Sequence, residues 1–274
     1  MKFTVLGSSG FIGSHVAALA AHNGHAVECP SRDENLFGRS LGHIIYCIGL
    51  TADFRSRPHE TVQAHVSKLQ DILTQTQFES LVYLSSTRVY SRCPLENPVY
   101  ESTPTAAVSQ DSGDLYNLSK LLGESLALGH GPHVKVARLS NVVGPDLASS
   151  NFLTSVIRES LHAGHVQLQT SLDSSKDYIH VNDVADLLLR LGPEGQSQIY
   201  NVSSGRPLSH RELLSELTRL TGSTFDVAGN ASVIRFPRID IQRIEAEFDF
   251  SPLNVIDCLP EIVQAHQSES EKAA

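Results

Sequence analysis

The amino-acid sequence predicts an α/β protein, a doubly wound parallel sheet with a smaller C-terminal lobe. Short apolar runs alternate with helical patterns through the first half of the chain, and a glycine-rich turn follows the first apolar run directly. The hydrophobic content of 41% over 274 residues is that of an ordinary globular protein. Strands connected by helices run parallel, and helices then cover both faces of their sheet.

Strands are predicted where short apolar runs stand between turns and helical patterns. In chain order they are Phe3–Leu6, His25–Cys29, Ile44–Ile48, Ser80–Ser85, Val134–Leu139, Tyr178–His180 and Ile199–Val202. Helices are predicted where the apolar spacing is helical. They are Gly13–Asn23, Thr61–Gln75, Tyr116–Leu128, Asn151–Ala163, Val181–Leu191 and Ser209–Thr221. We therefore predict a sheet domain from residues 1–140 and 176–202, and a lobe from 141–175 and 203–274.

Charge and apolar runs exclude several classes of protein. The net charge is -9 and no Lys/Arg-rich block occurs, which argues against a nucleic-acid partner. No apolar run approaches the 18 or so residues of a membrane span, and the N-terminal one is too short for a signal peptide. The cysteines are widely spaced and form no CxxC pair, which favours reduced thiols. We expect a cytoplasmic protein without a membrane partner.

The glycine-rich turn predicts a dinucleotide site. Gly7, Gly10, Phe11, Ile12 and Gly13 stand between the first strand and the first helix. Two glycines let the backbone approach a pyrophosphate, and the third lets the helix pack against the strand. The N–H groups at the start of the helix then face the phosphates. The alternative, a plain turn, leaves the strand–turn–helix context unexplained.

The residues after the second strand bear on the choice of dinucleotide. An acidic residue there would bind the ribose hydroxyls of NAD. This chain has Ser31 and Arg32 instead, and a guanidinium suits the 2′-phosphate of NADP. Asp33 follows one step late, and Arg32 and Asp33 could also form a surface ion pair. The sequence favours NADP(H) slightly, with NAD(H) as the alternative.

Tyr116 and Lys120 predict an acid/base site. They are four residues apart on one helix face, and a nearby ammonium favours the phenolate form of a tyrosine. Such a phenol can exchange a proton with a substrate hydroxyl. Ser85 and Ser86 end a buried strand, at the sheet edge where ligands of α/β proteins bind. A solvated helix face is the alternative for Tyr116 and Lys120 taken alone.

These motifs together resemble the extended short-chain dehydrogenase/reductase superfamily, and in particular the nucleotide-sugar epimerases and dehydratases. The resemblance covers nearly the whole chain. Its further elements are Arg138-Leu-Ser-Asn141-Val-Val-Gly144-Pro145, Asp177-Tyr-Ile-His-Val-Asn-Asp183-Val-Ala, Tyr200-Asn201-Val-Ser-Ser-Gly205, Asp240 and Phe250-Ser-Pro252. It implies a Rossmann fold, a bound NAD(P), a nucleotide-sugar substrate held by the C-terminal lobe, and a homodimer formed through helix pairing.

The resemblance also implies catalytic roles. Tyr116 would be the general acid/base, and Lys120 would lower its pKa and bind the nicotinamide ribose. Ser86 occupies the position of the catalytic Ser/Thr, where it would also contact the substrate. Ser85 would be an adjacent structural hydroxyl.

Three residues are implied for substrate binding. Asn141 matches a residue that contacts substrate near the diphosphate. Lys176 stands where these enzymes often have an arginine on the diphosphate, although a surface lysine is the alternative. Arg235 is a weaker candidate for the same task.

Departures from the family pattern narrow the reaction. Sugar 4,6-dehydratases carry an Asp-Glu pair where this chain has Thr87-Arg88, and an arginine cannot act as a base near neutrality. Dehydration is therefore not expected. Arg88 would bind a carboxylate on the sugar, or else pair with Glu101 or Asp111, which is the slightly favoured reading. His65 faces the cofactor or, on the favoured reading, is a buried structural histidine.

The sequence thus predicts an NAD(P)-dependent oxidoreductase or epimerase acting on a nucleotide-linked sugar. A 4-ketoreductase using NADPH and an epimerase retaining its cofactor remain open. A non-catalytic NAD(P) sensor is the alternative of another class, and the intact set of Ser86, Tyr116 and Lys120 argues against it. The remaining histidines show no metal-ligand spacing, so no metal site is expected.

Overall fold

The computed structural model describes residues 1–146, 149 and 151–273. Its strands are β1 (Lys2–Leu6), β2 (Ala26–Glu28), β3 (His43–Tyr46), β4 (Ser80–Ser86), β5 (Val134–Leu139), β6 (Asn141–Val143), β7 (His165–Thr170), β8 (Ser175–His180), β9 (Ile199–Val202), β10 (Pro207–Ser209) and β11 (Thr224–Ser232). Its helices are α1 (Phe11–His22), α2 (Pro58–Val62), α3 (Lys68–Gln75), α4 (Leu115–His130), α5 (Phe152–Ala163), α6 (Val181–Glu194), α7 (His210–Thr221), α8 (Gln242–Phe248) and α9 (Val255–Ala273). Two 3₁₀ turns, Thr87–Tyr90 and Ser112–Asp114, precede α4.

The main sheet has the order β2-β1-β3-β4-β5-β9, and every neighbouring pair in it is parallel. Side chains of α1 and α6 are buried against one face, and those of α3 and α4 against the other. The doubly wound Rossmann-type fold predicted from the sequence is confirmed. Because all these strands run the same way, the carboxyl ends of β1, β3, β4 and β5 lie along one edge.

A second group of elements packs beside that edge. A three-stranded sheet has the order β10-β8-β6, and β7 pairs with β11. Side chains from α5, α7 and α9 form a separate apolar core with β7 and β8. Helix α8 instead packs on the main sheet, where Ile244 and Phe248 join the core that contains Tyr200 of β9. The exact division of the chain into domains stays a prediction.

Several stretches differ from the sequence-based expectation, and β6, β10, α8 and α9 were not predicted. The helix predicted over Thr61–Gln75 is divided, because residues Gln63–Ser67 form a π-helical turn between α2 and α3. The pairing of β7 with β11 was not predicted either. Strand β11 contains Gly229 and is largely exposed, so it carries no apolar pattern.

Candidate active site

A cavity of about 840 Å³ opens at the carboxyl edge of the main sheet. Its wall includes the glycine-rich turn after β1, the ends of β3, β4 and β5, one face of α4, and residues of β6 and β8. This is the position at which open α/β sheets bind ligands, since the loops that leave the strands diverge there. Chemistry-bearing side chains from distant parts of the chain thereby share one space.

The glycine-rich turn has the geometry that a pyrophosphate needs. Gly7 has φ +86°, and a Cβ at Gly13 would lie 2.3 Å from the Gly7 carbonyl oxygen, so α1 can pack this closely only on a glycine. Gly10 is the N-cap of α1 and supplies no side-chain cap. Gly10, Phe11, Ile12 and Gly13 all line the cavity. The free N–H groups of the first turn of α1 therefore face a space that fits an anionic dinucleotide.

Ser31 and Arg32 lie on an exposed turn after β2, outside the residues that line the cavity. The Ser31 N–H donates to the Glu34 carboxylate at 3.1 Å. The acidic residue that ends β2, Glu28, pairs with Lys2 at 2.9 Å and with Arg39. The structure thus leaves Ser31 and Arg32 free of the cavity wall, and their preference for NADP stays a prediction.

Ser86, Tyr116 and Lys120 come together at the cavity wall. Tyr116 and Lys120 lie one turn apart on α4, and each is only 5% exposed. The Lys120 ammonium donates to the Leu84 carbonyl at 2.8 Å and lies 5.8 Å from the centroid of the Tyr116 ring. The structure therefore brings the three residues to one cavity near the end of β4, and their catalytic roles stay a prediction.

The electrostatics of the phenol involve residues that the sequence-based expectation did not assign to it. Burial raises the pKa of Tyr116, while the Ser86 and Thr51 hydroxyls and the charge of Arg88 lower it. Burial also lowers the pKa of Lys120 to about 7, against the opposing charge of Glu124. The charge of Arg88 was not part of the expectation, which assigned this effect to Lys120. The role of Lys120 toward the phenol stays a prediction.

Arg88 does not form the ion pair that the sequence favoured. Its guanidinium donates to the Gly113 carbonyl at 3.2 Å and lies 5.6 Å from the centroid of the Tyr116 ring. Asp111 pairs with Arg92 at 2.6 Å. Glu101 is buried, accepts a hydrogen bond from the Asn201 N–H at 3.1 Å and faces Arg243. The sequence missed these partners because both acidic residues lie in loops, where spacing does not determine neighbours.

His65 is a structural residue. It is fully buried in the π-helical turn, its Nε2 accepts from the Leu50 N–H at 3.2 Å, and its Nδ1 bonds the Ser119 hydroxyl at 2.9 Å. Burial lowers its pKa to about 2, so it stays neutral. Its ring lies edge-on to Tyr116 at 5.4 Å. His65 therefore packs against the Tyr116 ring and helps to hold it in position.

The predicted substrate residues separate into two groups. Asn141 and Lys176 line the cavity; Asn141 donates to the Asp177 carbonyl at 2.7 Å, and Lys176 lies 5.1 Å from the Phe152 ring centroid. Arg235 is exposed, contacts the Asp173 carbonyl at 3.5 Å and lies outside the cavity lining, where Phe236 is present instead.

A buried polar network lies beneath the site. Glu124, one turn after Lys120, accepts from Ser85 at 2.5 Å and pairs with Arg138 at 2.6 Å. Arg138 also donates to the Tyr90 hydroxyl at 2.7 Å, and that hydroxyl donates to Asn201 at 2.8 Å. Sequence reasoning missed this network, although an acid four residues after Lys120 on an apolar helix face was a usable signal.

Sequence reasoning also missed the loop after β3. Thr51 and Asp53 line the cavity, and Phe54 is buried against Tyr116 with ring centroids 5.5 Å apart. The loop carries no motif, and only its place after a central strand pointed to the site.

In the described part of the chain no helix has the length and apolar character that a membrane crossing requires. The same residues hold no cluster of three or more His, Cys, Asp or Glu suited to a metal ion.

Comparison with known proteins gives consistent matches. The sequence model of the NAD dependent epimerase/dehydratase family matches residues 34–203. The chain is 29% identical to GDP-6-deoxy-D-mannose reductase of Pseudomonas aeruginosa, over 85% of this chain and 84% of that protein. It is 24% identical to dTDP-4-dehydro-6-deoxy-D-allose reductase of a Streptomyces species, over 90% of each chain.

Solved structures share the fold over nearly the whole chain. RMD from Pseudomonas aeruginosa, complexed with NADPH, superposes with a TM-score of 0.80 at 23% identity, covering 98% of this chain and 100% of that one. UDP-glucose 4-epimerase from Thermotoga maritima, with UDP-glucose, gives a TM-score of 0.81 at 17% identity, covering 98% and 99%.

Proposed function

The chain belongs to the NAD dependent epimerase/dehydratase family, and from this premise we propose that it is an NAD(P)-dependent enzyme that transfers hydride at a carbon of a nucleotide-linked sugar. The observation that carries the proposal is the placement of Tyr116 beside Ser86 and Lys120, in the same cavity as the glycine-rich turn. A sensor of NAD(P) would have no use for a buried phenol of this kind.

Tyr116 is the general acid/base in this proposal. Its phenol faces the cavity, so it can give a proton to a sugar oxygen or take one from it. Ser86 orients the same sugar oxygen, and its own hydroxyl already accepts from the Arg88 N–H at 3.2 Å, which fixes its direction. Arg88 and the two neighbouring hydroxyls stabilise the phenolate against the effect of burial.

The bound dinucleotide supplies the hydride chemistry, and the chain supplies its position. Gly7, Gly10 and Gly13 accommodate its pyrophosphate at the start of α1. Lys120 binds the nicotinamide ribose from the same turn of α4 that presents Tyr116. Asn141 and Lys176, which line the same cavity, hold the diphosphate of the substrate.

Both epimerisation and ketoreduction fit this site, and the relatives favour reduction. The two curated relatives that match over at least 84% of their own length are both nucleotide-sugar reductases. Purified protein incubated with NADPH and nucleotide-linked 4-keto sugars distinguishes the two reactions. A reductase oxidises NADPH stoichiometrically, whereas an epimerase interconverts sugars with no net change in its dinucleotide.

Cofactor preference gives the first test. Because Ser31 lacks a carboxylate and the Arg32 guanidinium can bind a 2′-phosphate, we expect NADP to bind more tightly than NAD. Arg32→Ala should weaken the binding of NADP by roughly tenfold, the effect of losing one charge-assisted hydrogen bond. The affinity for NAD should stay within about a factor of two of the wild-type value. Calorimetric titration of both dinucleotides measures this. Tighter binding of NAD, with no response to Arg32→Ala, would contradict the role of this turn.

Substrate class gives the second test. A nucleoside diphosphate that binds the folded state should raise the melting temperature by mass action. We expect UDP, dTDP or GDP at millimolar concentration to stabilise the protein, and Lys176→Gln to reduce that shift, because its ammonium faces the diphosphate. Absence of any shift with all three nucleotides would refute the nucleotide-sugar proposal.

We further propose a cytoplasmic homodimer. Four cysteines, Cys29, Cys47, Cys93 and Cys258, are free thiols in the structure, which suits a reducing compartment. Leu122 of α4 is 51% exposed and neighbours the partly exposed Leu118, an apolar stretch that helix pairing would cover. Light scattering at micromolar concentration tests the mass of the assembly.

A further inference from the structure

Arg88 occupies the wall of the cavity next to the reacting group. The 3₁₀ turn Thr87–Tyr90 carries it there directly after Ser86. Its guanidinium lies over two aromatic rings, 5.0 Å from the centroid of Phe54 and 5.6 Å from that of Tyr116. A guanidinium has five N–H donors. Among the described residues, the Arg88 guanidinium donates one hydrogen bond, to the Gly113 carbonyl.

A second arginine increases the positive charge at this position. The guanidinium of Arg55 lies 4.4 Å from the centroid of the same Phe54 ring, on the loop after β3. Burial lowers the pKa of Arg88, and the like charge of Arg55 lowers it further. Among the residues that the structure describes, neither cation has a carboxylate within ion-pair distance. Two like charges beside a partly buried cavity are stabilised when an anion binds between them.

The acidic residues nearby do not supply that anion. Asp111 and Asp114 are close enough to act on Arg88, but their carboxylates are held by Arg92 at 2.6 and 2.5 Å. Asp53 also lines the cavity, with an exposed side chain. A ligand that carries negative charge would therefore find Arg88 without an ion-pair partner among the described residues.

Arg88 and Lys176 are carried by different elements around one cavity, and burial together with the charge of Arg88 lowers the pKa of Lys176. Lys176 lies over Phe152 of α5, on the wall formed by the second group of elements, whereas Arg88 lies over Tyr116 on α4. The sugar carbon that reacts must be next to the Tyr116 phenol. Because the Arg88 guanidinium lies 5.6 Å from the centroid of the Tyr116 ring, it is placed to face the sugar ring.

From this arrangement we infer that the substrate is a nucleoside-diphosphate-linked sugar acid, whose carboxylate is carried by the reacting ring and bound by Arg88, with Arg55 adding to the field. This inference rests on the proposed function and adds the class of sugar to it. A planar carboxylate can accept two N–H groups of a guanidinium side by side, which a sugar hydroxymethyl group cannot do.

The test uses the full chain loaded with its preferred dinucleotide. Thermal shifts with UDP, dTDP and GDP first select the base. Calorimetry then compares two ligands with that base, the glucuronic acid conjugate and the glucose conjugate, which differ only by a carboxylate in place of a hydroxymethyl group. We expect the sugar acid to bind at least about tenfold more tightly, the usual effect of a charge-assisted hydrogen bond.

Substitutions test whether Arg88 causes the preference for the sugar acid. Arg88→Gln should reduce the ratio of the two affinities to near one, and Arg88→Lys, which keeps the charge but loses the planar fork, should retain part of it. Lys176→Gln is the matched control, and should weaken both conjugates by a similar factor while the ratio persists. Melting temperatures of all three variants establish that each is folded.

Three results overturn the inference, and they are distinguishable. If none of the diphosphates binds, the proposed function fails and the inference fails with it. If a diphosphate binds but the wild-type protein shows no preference for the sugar acid, the carboxylate assignment alone fails. If Arg88→Gln weakens the plain diphosphate as strongly as the sugar acid, Arg88 serves the diphosphate instead.

Discussion

Tyr116→Phe is expected to reduce turnover by roughly 10²–10⁴-fold, the usual contribution of a positioned general acid/base. The substitution keeps the ring that packs against Phe54 and His65, so the protein should fold and bind its dinucleotide normally. The substitution removes the hydroxyl that would protonate or deprotonate the sugar oxygen. Steady-state kinetics with the nucleotide sugar selected by binding, together with dinucleotide titration, measure the two effects separately.

Tyr100→Phe is the matched control for this substitution. Tyr100 is 45% exposed and lies outside the cavity lining, so the same chemical change there should leave turnover within a factor of two. Tyr90, nearer in sequence to Ser86, is unsuitable because its hydroxyl belongs to the buried network with Arg138 and Asn201. Equal turnover of wild-type protein and Tyr116→Phe would remove the proposed mechanism and support a sensor.

Arg138→Met should cost about 3–5 kcal/mol of the free energy of unfolding, the range for breaking one half of a buried ion pair. The carboxylate of Glu124 would keep its hydrogen bond from Ser85 but lose Arg138, which approaches it at 2.6 Å from a side chain only 5% exposed. Because methionine fills much of the volume of the arginine side chain, the loss of stability reflects the missing charge more than a change in packing. Urea denaturation at neutral pH measures it.

The double variant Glu124→Gln/Arg138→Met separates charge from shape. Removing both charges should cost clearly less than the sum of the two single changes, because no unpaired charge remains buried. A strictly additive cycle, or a single-variant loss below about 1 kcal/mol, would mean that solvent reaches the pair. The pair holds Ser85 and α4 together, so its loss should also disturb Ser86 and Lys120.

The parts of the fold that the sequence predicted are those whose signal is local. The glycine turn, the buried strands and the Tyr116–Lys120 spacing each depend on residues close in the chain, and the structure places them as expected. Strand ends also predicted the location of the cavity, because parallel strands bring their carboxyl ends to one edge.

The features that could not be predicted from the sequence depend on contacts between loops. The sequence favours a pair between Arg88 and Glu101 or Asp111, whereas in the structure Asp111 pairs with Arg92, four residues after Arg88, and Glu101 faces Arg243. The family resemblance implied Arg235 as a weaker candidate for binding the diphosphate, but its side chain lies outside the cavity lining and contacts the Asp173 carbonyl. No spacing rule determines which of several nearby arginines meets a given acid in three dimensions.

The order of strands in the main sheet has a consequence for how the chain folds during synthesis. Strand β5 pairs on one side with β4 and on the other with β9, where Val136 meets Ile199. The elements β6, α5, β7, β8 and α6 lie between them in the chain. As the protein leaves the ribosome, β5 therefore carries an open edge until β9 is made. An unpaired edge is a template for association between chains. Strand β9 thus covers an edge that would otherwise be a site of association between chains.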